Sequence, residues 1–168
     1  GDDMQMDATH VFRNDDIVQD GTAIASFASK KPIVVTVNHG HQPVSKPLTV
    51  TESEGNIVRE IEGRPAFQVW KEEIRDHARR DFGIDVDELE TGTKELTKML
   101  TRYEFGIDQG ANYKIRWPGP TQTTNGPLRF AVNIPTGTVM RVMRGPKERQ
   151  IDAVRIGARR AREKAEKK

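Results

Sequence analysis

The hydrophobic period of this chain changes twice, and that alternation limits the folds open to it. Over Ala66–Phe82 the apolar residues Ala66, Val69, Trp70 and Ile74 recur at steps of three and four. That spacing builds one apolar face of an α-helix. Pro65 stands where the first helical turn tolerates proline, and Gly83 where a left-handed cap is wanted. Before Pro65 the pattern is that of strands. Ala8–Arg13 and Ile17–Gln19 flank an Asn14-Asp15-Asp16 turn, and Thr22–Ala28 alternates on Ala23, Ala25 and Phe27. Ile33–Asn38 is continuously β-branched, the pattern of a central strand buried on both faces. Pro47–Ser53 and Asn56–Ile61 complete this half.

A second helical pattern runs from about Asp87 to Arg102 on Leu89, Leu96, Met99 and Leu100, with Gly92 weakening its middle. Strands then return over Asn112–Trp117, Leu128–Val132 and Thr138–Met143, with a Gly/Pro/Thr-rich loop over 118–127. From Pro146 the residues Ile151, Val154, Ala158, Ala161 and Ala165 again follow the helical step. The order predicts an α+β fold: two β-rich halves linked by helices, with a C-terminal amphipathic helix packing on a mixed or antiparallel sheet. The corresponding divisions are 1–64, 65–102 and 103–168.

A chain of 168 residues holds one medium domain or two small ones. It has no cysteine, which excludes disulfides, cysteine-ligated zinc, iron–sulfur clusters and a cysteine nucleophile. A cytoplasmic location fits that composition, and no run approaches the ~18 apolar residues of a membrane helix. The net charge of +2 makes no case for nucleic acid by itself, but the charge is uneven. Gly1–Asp20 holds six acids against Arg13 alone, and Arg141–Lys168 holds eleven basic residues against four acids.

An ordered set of short motifs resembles one family, the FIST domains. The carriers in the first half are Val37-Asn38-His39-Gly40-His41-Gln42-Pro43-Val44, Thr49–Asn56 and the helix entry Glu60-Ile61-Glu62-Gly63-Arg64-Pro65-Ala66. They are similar to the end of a FIST N-terminal subdomain. Phe105-Gly106-Ile107, Tyr113–Arg116, Gly126-Pro127-Leu128, Ile134–Thr138 and Arg141–Arg144 resemble the start of FIST-C. Glu62 departs from the family's usual Asp, and His41 stands where an aromatic such as Trp is common. Segments that flank these motifs in the family are not in this sequence, so the resemblance implies a chain truncated at both ends. It also implies a sensory, ligand-binding role in signalling, with amino acids or similar small molecules as ligands and the output domain elsewhere in a longer protein. One branch of the family is reported to bind heme, an alternative reading; the cofactor is otherwise unknown.

His39 and His41 flank Gly40, and on an extended backbone both imidazoles share a face, as two metal or heme ligands would. No cysteine or compact carboxylate partner completes a metal set nearby, so no metal site is assigned. A ligand-lining loop and an ordinary exposed turn both remain open. Arg116, beside Trp117 and on the strand of Tyr113, is placed to clamp a carboxylate, or to serve as a surface ion-pair residue. Together His39, Gly40, His41 and Arg116 form the expected site for an anionic or zwitterionic ligand. No phosphate loop, H-E-x-x-H or G-x-S-x-G occurs, and no turnover is expected. The competing reading is nucleic-acid or protein binding by the basic C-terminal helix, through Arg144, Lys147, Arg149, Arg155, Arg159, Arg160, Arg162 and Lys164. If absent flanks normally add strands, an exposed sheet edge should drive self-association.

Overall fold

The structure, a computed structural model, describes residues 8–31, 33–110, 112–119 and 126–166. Its centre is helix α1 (Ala66–Phe82), whose apolar stripe Ala66, Phe67, Val69, Trp70, Ile74 and Ala78 is wholly buried. Pro65 is the N-cap, and Gly83, in the left-handed conformation, ends the helix by returning its N–H to the Arg79 carbonyl at 2.9 Å. The Trp70 indole donates to the Tyr103 carbonyl at 2.9 Å, so the largest core side chain carries no unpaired polar atom.

Around this helix runs one antiparallel sheet. Its strands are β3 (Gln42–Pro43), β4 (Leu48–Glu54), β5 (Ile57–Ile61), β6 (Arg64–Pro65), β7 (Tyr103–Asp108), β8 (Tyr113–Arg116), β9 (Pro118–Gly119), β10 (Leu128–Phe130) and β11 (Val139–Arg144). The order is β8-β7-β11-β4-β5-β10-β9, with β3 added to β11 and β6 to β5. Strands β4 and β5 of the first half lie between β11 and β10 of the second, so both halves share one core. Strands β8 and β9 stand at opposite ends of this order, yet only Trp117 separates them in the chain. The sheet therefore curls until its two end strands come together in space. Phe105 and Phe130 meet edge-to-face across the interior, ring centroids 5.6 Å apart.

The α+β order holds, with four departures. The predicted helix over 87–102 is split into a single 3-10 turn, Val86–Glu88, and α2 (Lys94–Arg102). Gly92 sits at φ 76°, a left-handed conformation that no α-helix contains. Thr93 then caps α2, its hydroxyl accepting from the Leu96 N–H at 3.2 Å. Strand β7 was not foreseen as a strand, although Tyr103 and Phe105 alternate with Glu104. Ile33–Asn38 is not a central strand: it is extended but pairs with no strand among the described residues. Val34 and Thr36 are half-buried, while Ile33, Val35 and Val37 are 65%, 75% and 89% exposed. A β-branched run fixes extended backbone; it does not supply a neighbour. Thr22–Ala28 likewise forms no strand. The N-terminal hairpin is present, β1 (His10–Arg13) against β2 (Asp16–Gln19), and pairs with no other strand among the described residues. Of the loop expected over 118–127, Pro118–Gly119 is strand β9, and residues 120–125 lie outside the described residues.

The last helix, α3 (Lys147–Glu166), buries only Ala153 of its side chains. It lies on the extended segment 34–42, which lies in turn on the outer face of the sheet. Thr36 Oγ1 donates to the Gly157 carbonyl at 3.1 Å and Asn38 Nδ2 to the Ala153 carbonyl at 2.9 Å.

Candidate functional site

Paired residues of an antiparallel sheet share a face, and successive residues alternate. Tyr103 and Phe105 of β7 point into the core, so Glu104 points out, beside Met143 of β11. Over this outer face passes the loop His39–Gly40–His41. The His41 Nε2 lies 2.8 Å from Glu104 Oε2, with both side chains largely buried. The His39 Nε2 lies 3.0 Å from the Tyr113 carbonyl. A carbonyl only accepts, so this nitrogen carries the proton, and Nδ1 of His39 is left to accept from the His41 N–H at 3.3 Å. By the same reasoning His41 donates from Nε2, and its Nδ1 faces the Gln150 amide nitrogen at 3.4 Å. The two rings meet edge-to-face at 5.5 Å. Neither Nε2 is free, so a metal or heme iron bound at that nitrogen would have to displace the Tyr113 carbonyl or Glu104. Among the described residues no three His, Asp or Glu groups converge as a metal set.

Gly40 is the point of closest approach to α3. A Cβ there would overlap the backbone of Arg149 and Gln150. With only hydrogen in that place, the Gly40 N–H donates to Gln150 Oε1 at 3.3 Å. Loop and helix together form a cleft of about 170 Å³ lined by Asn38, His39, His41, Arg149, Asp152 and Arg160, among others. Arg149 is steadied by Gln42, whose amide oxygen, in the orientation that satisfies both residues, accepts from its Nε and Nη2 at 3.3 and 3.2 Å. The lining of the cleft includes one carboxylate, Asp152, and two guanidinium groups, Arg149 and Arg160.

Arg116 is not part of this arrangement. It pairs with Phe105, not Glu104, in the β7–β8 register, so its side chain stands on the inner face and the sheet separates it from the loop. Its Nη1 donates to its own chain, to the Ile115 carbonyl at 2.9 Å. The structure thus brings His39, Gly40 and His41 together and leaves Arg116 apart. Sequence reasoning missed Glu104, Gln150 and Asp152, and it assigned Arg149 and Arg160 to a nucleic-acid or protein-binding helix rather than to a cleft shared with the loop. Only Glu104 had a local signal, its alternation with Tyr103 and Phe105. The α3 residues are more than 100 positions from the loop they meet.

The basic charge of α3 is partly answered within the helix. Arg155 faces Asp152 at 3.4 Å, Arg159 faces Glu163 at 4.0 Å and Arg162 faces Glu166 at 2.8 Å. No helix among the described residues is long and apolar enough to cross a membrane.

Comparison with known families accounts for the chain end to end. The model of the FIST N domain matches residues 1–64, and that of the FIST C domain matches residues 66–168. The chain belongs to the FIST family. FIST domains are sensory domains of signal transduction. An uncharacterized protein of Methanocaldococcus jannaschii is 22% identical over 153 residues, which is 91% of this chain and 30% of that protein. The FIST chain described here thus spans less than a third of that relative. No solved structure matches.

Proposed function

We propose that this FIST chain is the small-ligand-binding part of a cytoplasmic signalling protein, that it binds without chemical turnover, and that its ligand is an amino acid or a similar zwitterion. One observation carries the reading: the His39–Gly40–His41 loop shares a cleft with Arg149, Asp152 and Arg160 of α3. Asp152 suits an ammonium group, and either guanidinium suits a carboxylate through two parallel hydrogen bonds. His39 and His41 are held by their own partners and serve as a fixed wall. A ligand bridging loop and helix shifts how firmly α3 docks, and a signal then passes to the rest of a longer protein.

Calorimetry of the chain against a panel of amino acids tests this. Binding by one or a few members is expected, weakened about tenfold or more by Asp152→Asn or Arg160→Gln. If no member binds at millimolar concentration, the reading is wrong. Fluorescence anisotropy with labelled duplex DNA and RNA runs beside it. Tight association that falls steeply with salt, together with a silent amino-acid panel, would assign the basic helix to nucleic acid instead.

A further inference from the structure

We infer that a second cleft, on the other side of His41, binds a small oxyanion carrying two negative charges. This cleft has a volume of about 220 Å³ and lies where α2, β11 and α3 converge. Each element delivers one cation: Arg102 at the end of α2, Arg144 at the end of β11 and Lys147 at the start of α3. Arg144 is fixed by Asp81, with Nη1 to Oδ2 at 3.0 Å. Arg102 is fixed differently, its guanidinium carbon 4.6 Å from the centre of the Phe82 ring. Among the described residues neither Arg102 nor Lys147 has a carboxylate at ion-pair distance.

Three cations drawn together in one concavity repel one another, and the only carboxylate in the lining is Glu148. Arg144 is already answered by Asp81, so Arg102 and Lys147 are the two cations of the lining without an ion-pair carboxylate among the described residues, and a dianion answers both. The first turn of α3 lines the same cleft, so the positive end of the helix adds to the field of the three side chains. The planar guanidinium groups offer paired donors that match phosphate or carboxylate oxygens, and the Phe82 ring gives an attached apolar group a surface to rest on. The site does not depend on the amino-acid reading above. His41 lines both clefts and is their common wall.

A ¹H–¹⁵N titration of the whole chain with inorganic phosphate, and separately with succinate, tests this site at ionic strength held constant with chloride. Saturable shifts at the Arg102, Gly145 and Lys147 amides are expected. Saturation by phosphate alone assigns a phosphorylated ligand; saturation by succinate alone assigns a dicarboxylate. Arg102→Gln and Lys147→Gln should each weaken binding about five- to tenfold. Glu148→Gln, which removes the opposing carboxylate, should tighten it. All three side chains are exposed, and the backbone spectrum reports any loss of fold. Shifts that stay linear and equal to those with chloride overturn the proposal. So does saturation confined to amides around His39 and Asp152, or a dissociation constant that none of the three variants changes.

Discussion

Replacing Gly40 with alanine is the sharpest perturbation of the candidate site. The added Cβ meets backbone on the far side, the Arg149 carbonyl group and the Gln150 nitrogen, well inside van der Waals contact. Backbone has no rotamer to change, so loop and helix must part. Overpacking of this kind costs about 1–3 kcal/mol. Separation also removes the Gly40–Gln150 hydrogen bond, about 0.5–1.5 kcal/mol, and weakens the longer Gln150–His41 contact. The response depends on what is cheapest to release. Helix α3 buries little beyond Ala153, whereas α1 is wholly enclosed, so α3 should undock while the core stays folded. The expected loss of about 2–4 kcal/mol appears as amide exchange in α3 faster by about 30- to 1,000-fold, with exchange in α1 and β11 nearly unchanged. Native-state hydrogen exchange reads both at once. Gln150→Ala, which removes hydrogen bonds without overlap, should produce a weaker version of the same pattern. Unchanged protection in α3 of Gly40→Ala would refute the docking argument, and equal loss in α1 would refute the idea that α3 opens separately.

Two further expectations concern the core and the N-terminal arm. Burial, and after it the neighbouring Asp81 carboxylate, pushes the Tyr103 hydroxyl up to about 12 from its ordinary value of 10.0. Its stabilising effect is whole below pH 10 and is lost as pH rises toward 12, with about 2–3 kcal/mol at stake; urea denaturation should show Tyr103→Phe less alkali-sensitive than wild type, and identical pH slopes would refute this. The outward row Ile33, Val35 and Val37 should promote self-association, so light scattering at high concentration should show less of it in the Val35→Lys/Val37→Lys double variant, and a strictly monomeric wild type would refute that role.

What the sequence made legible was local. The Ala66–Phe82 helix, with Pro65 before it and Gly83 after it, is foreseen because its signals lie within one helical repeat and two caps. Strands β4, β5, β8, β10 and β11 are foreseen within a residue or two for the same reason. Pairing was not legible. Ile33–Val37 has the composition of an inner strand, yet one side meets α3 and the other meets solvent. The candidate site was half-visible: Gly40 between two histidines marked the loop, and the motif resemblance marked the family. In the sequence Arg116 groups with that loop because both bear polar groups suited to an anion. A register was needed to see that Phe105 and Glu104, one residue apart, put Arg116 and His41 on opposite sides of the sheet.

That one-residue offset also bears on how the proposed function would join a rigid core to a responsive site. Strand β7 serves both: Tyr103 and Phe105 belong to the closed interior, while Glu104 holds the loop on the outside. The loop is thus anchored to the most stable part of the molecule through His41, and through the Tyr113 carbonyl on the adjoining strand. Helix α3 touches that anchor mainly by polar contacts, from Thr36, Asn38, Gly40 and His41. Each such bond contributes roughly 0.5–1.5 kcal/mol. A ligand bonded to Arg149, Asp152 or Arg160 acts with energies of the same size, which is enough to move the docking equilibrium of α3 and far too little to disturb the sheet. Had α3 been fixed by a deep apolar face, as α1 is, the same ligand would bind without consequence. Under the proposed function, the sparse burial of this helix is the feature that would let occupancy of the cleft register as a change in shape.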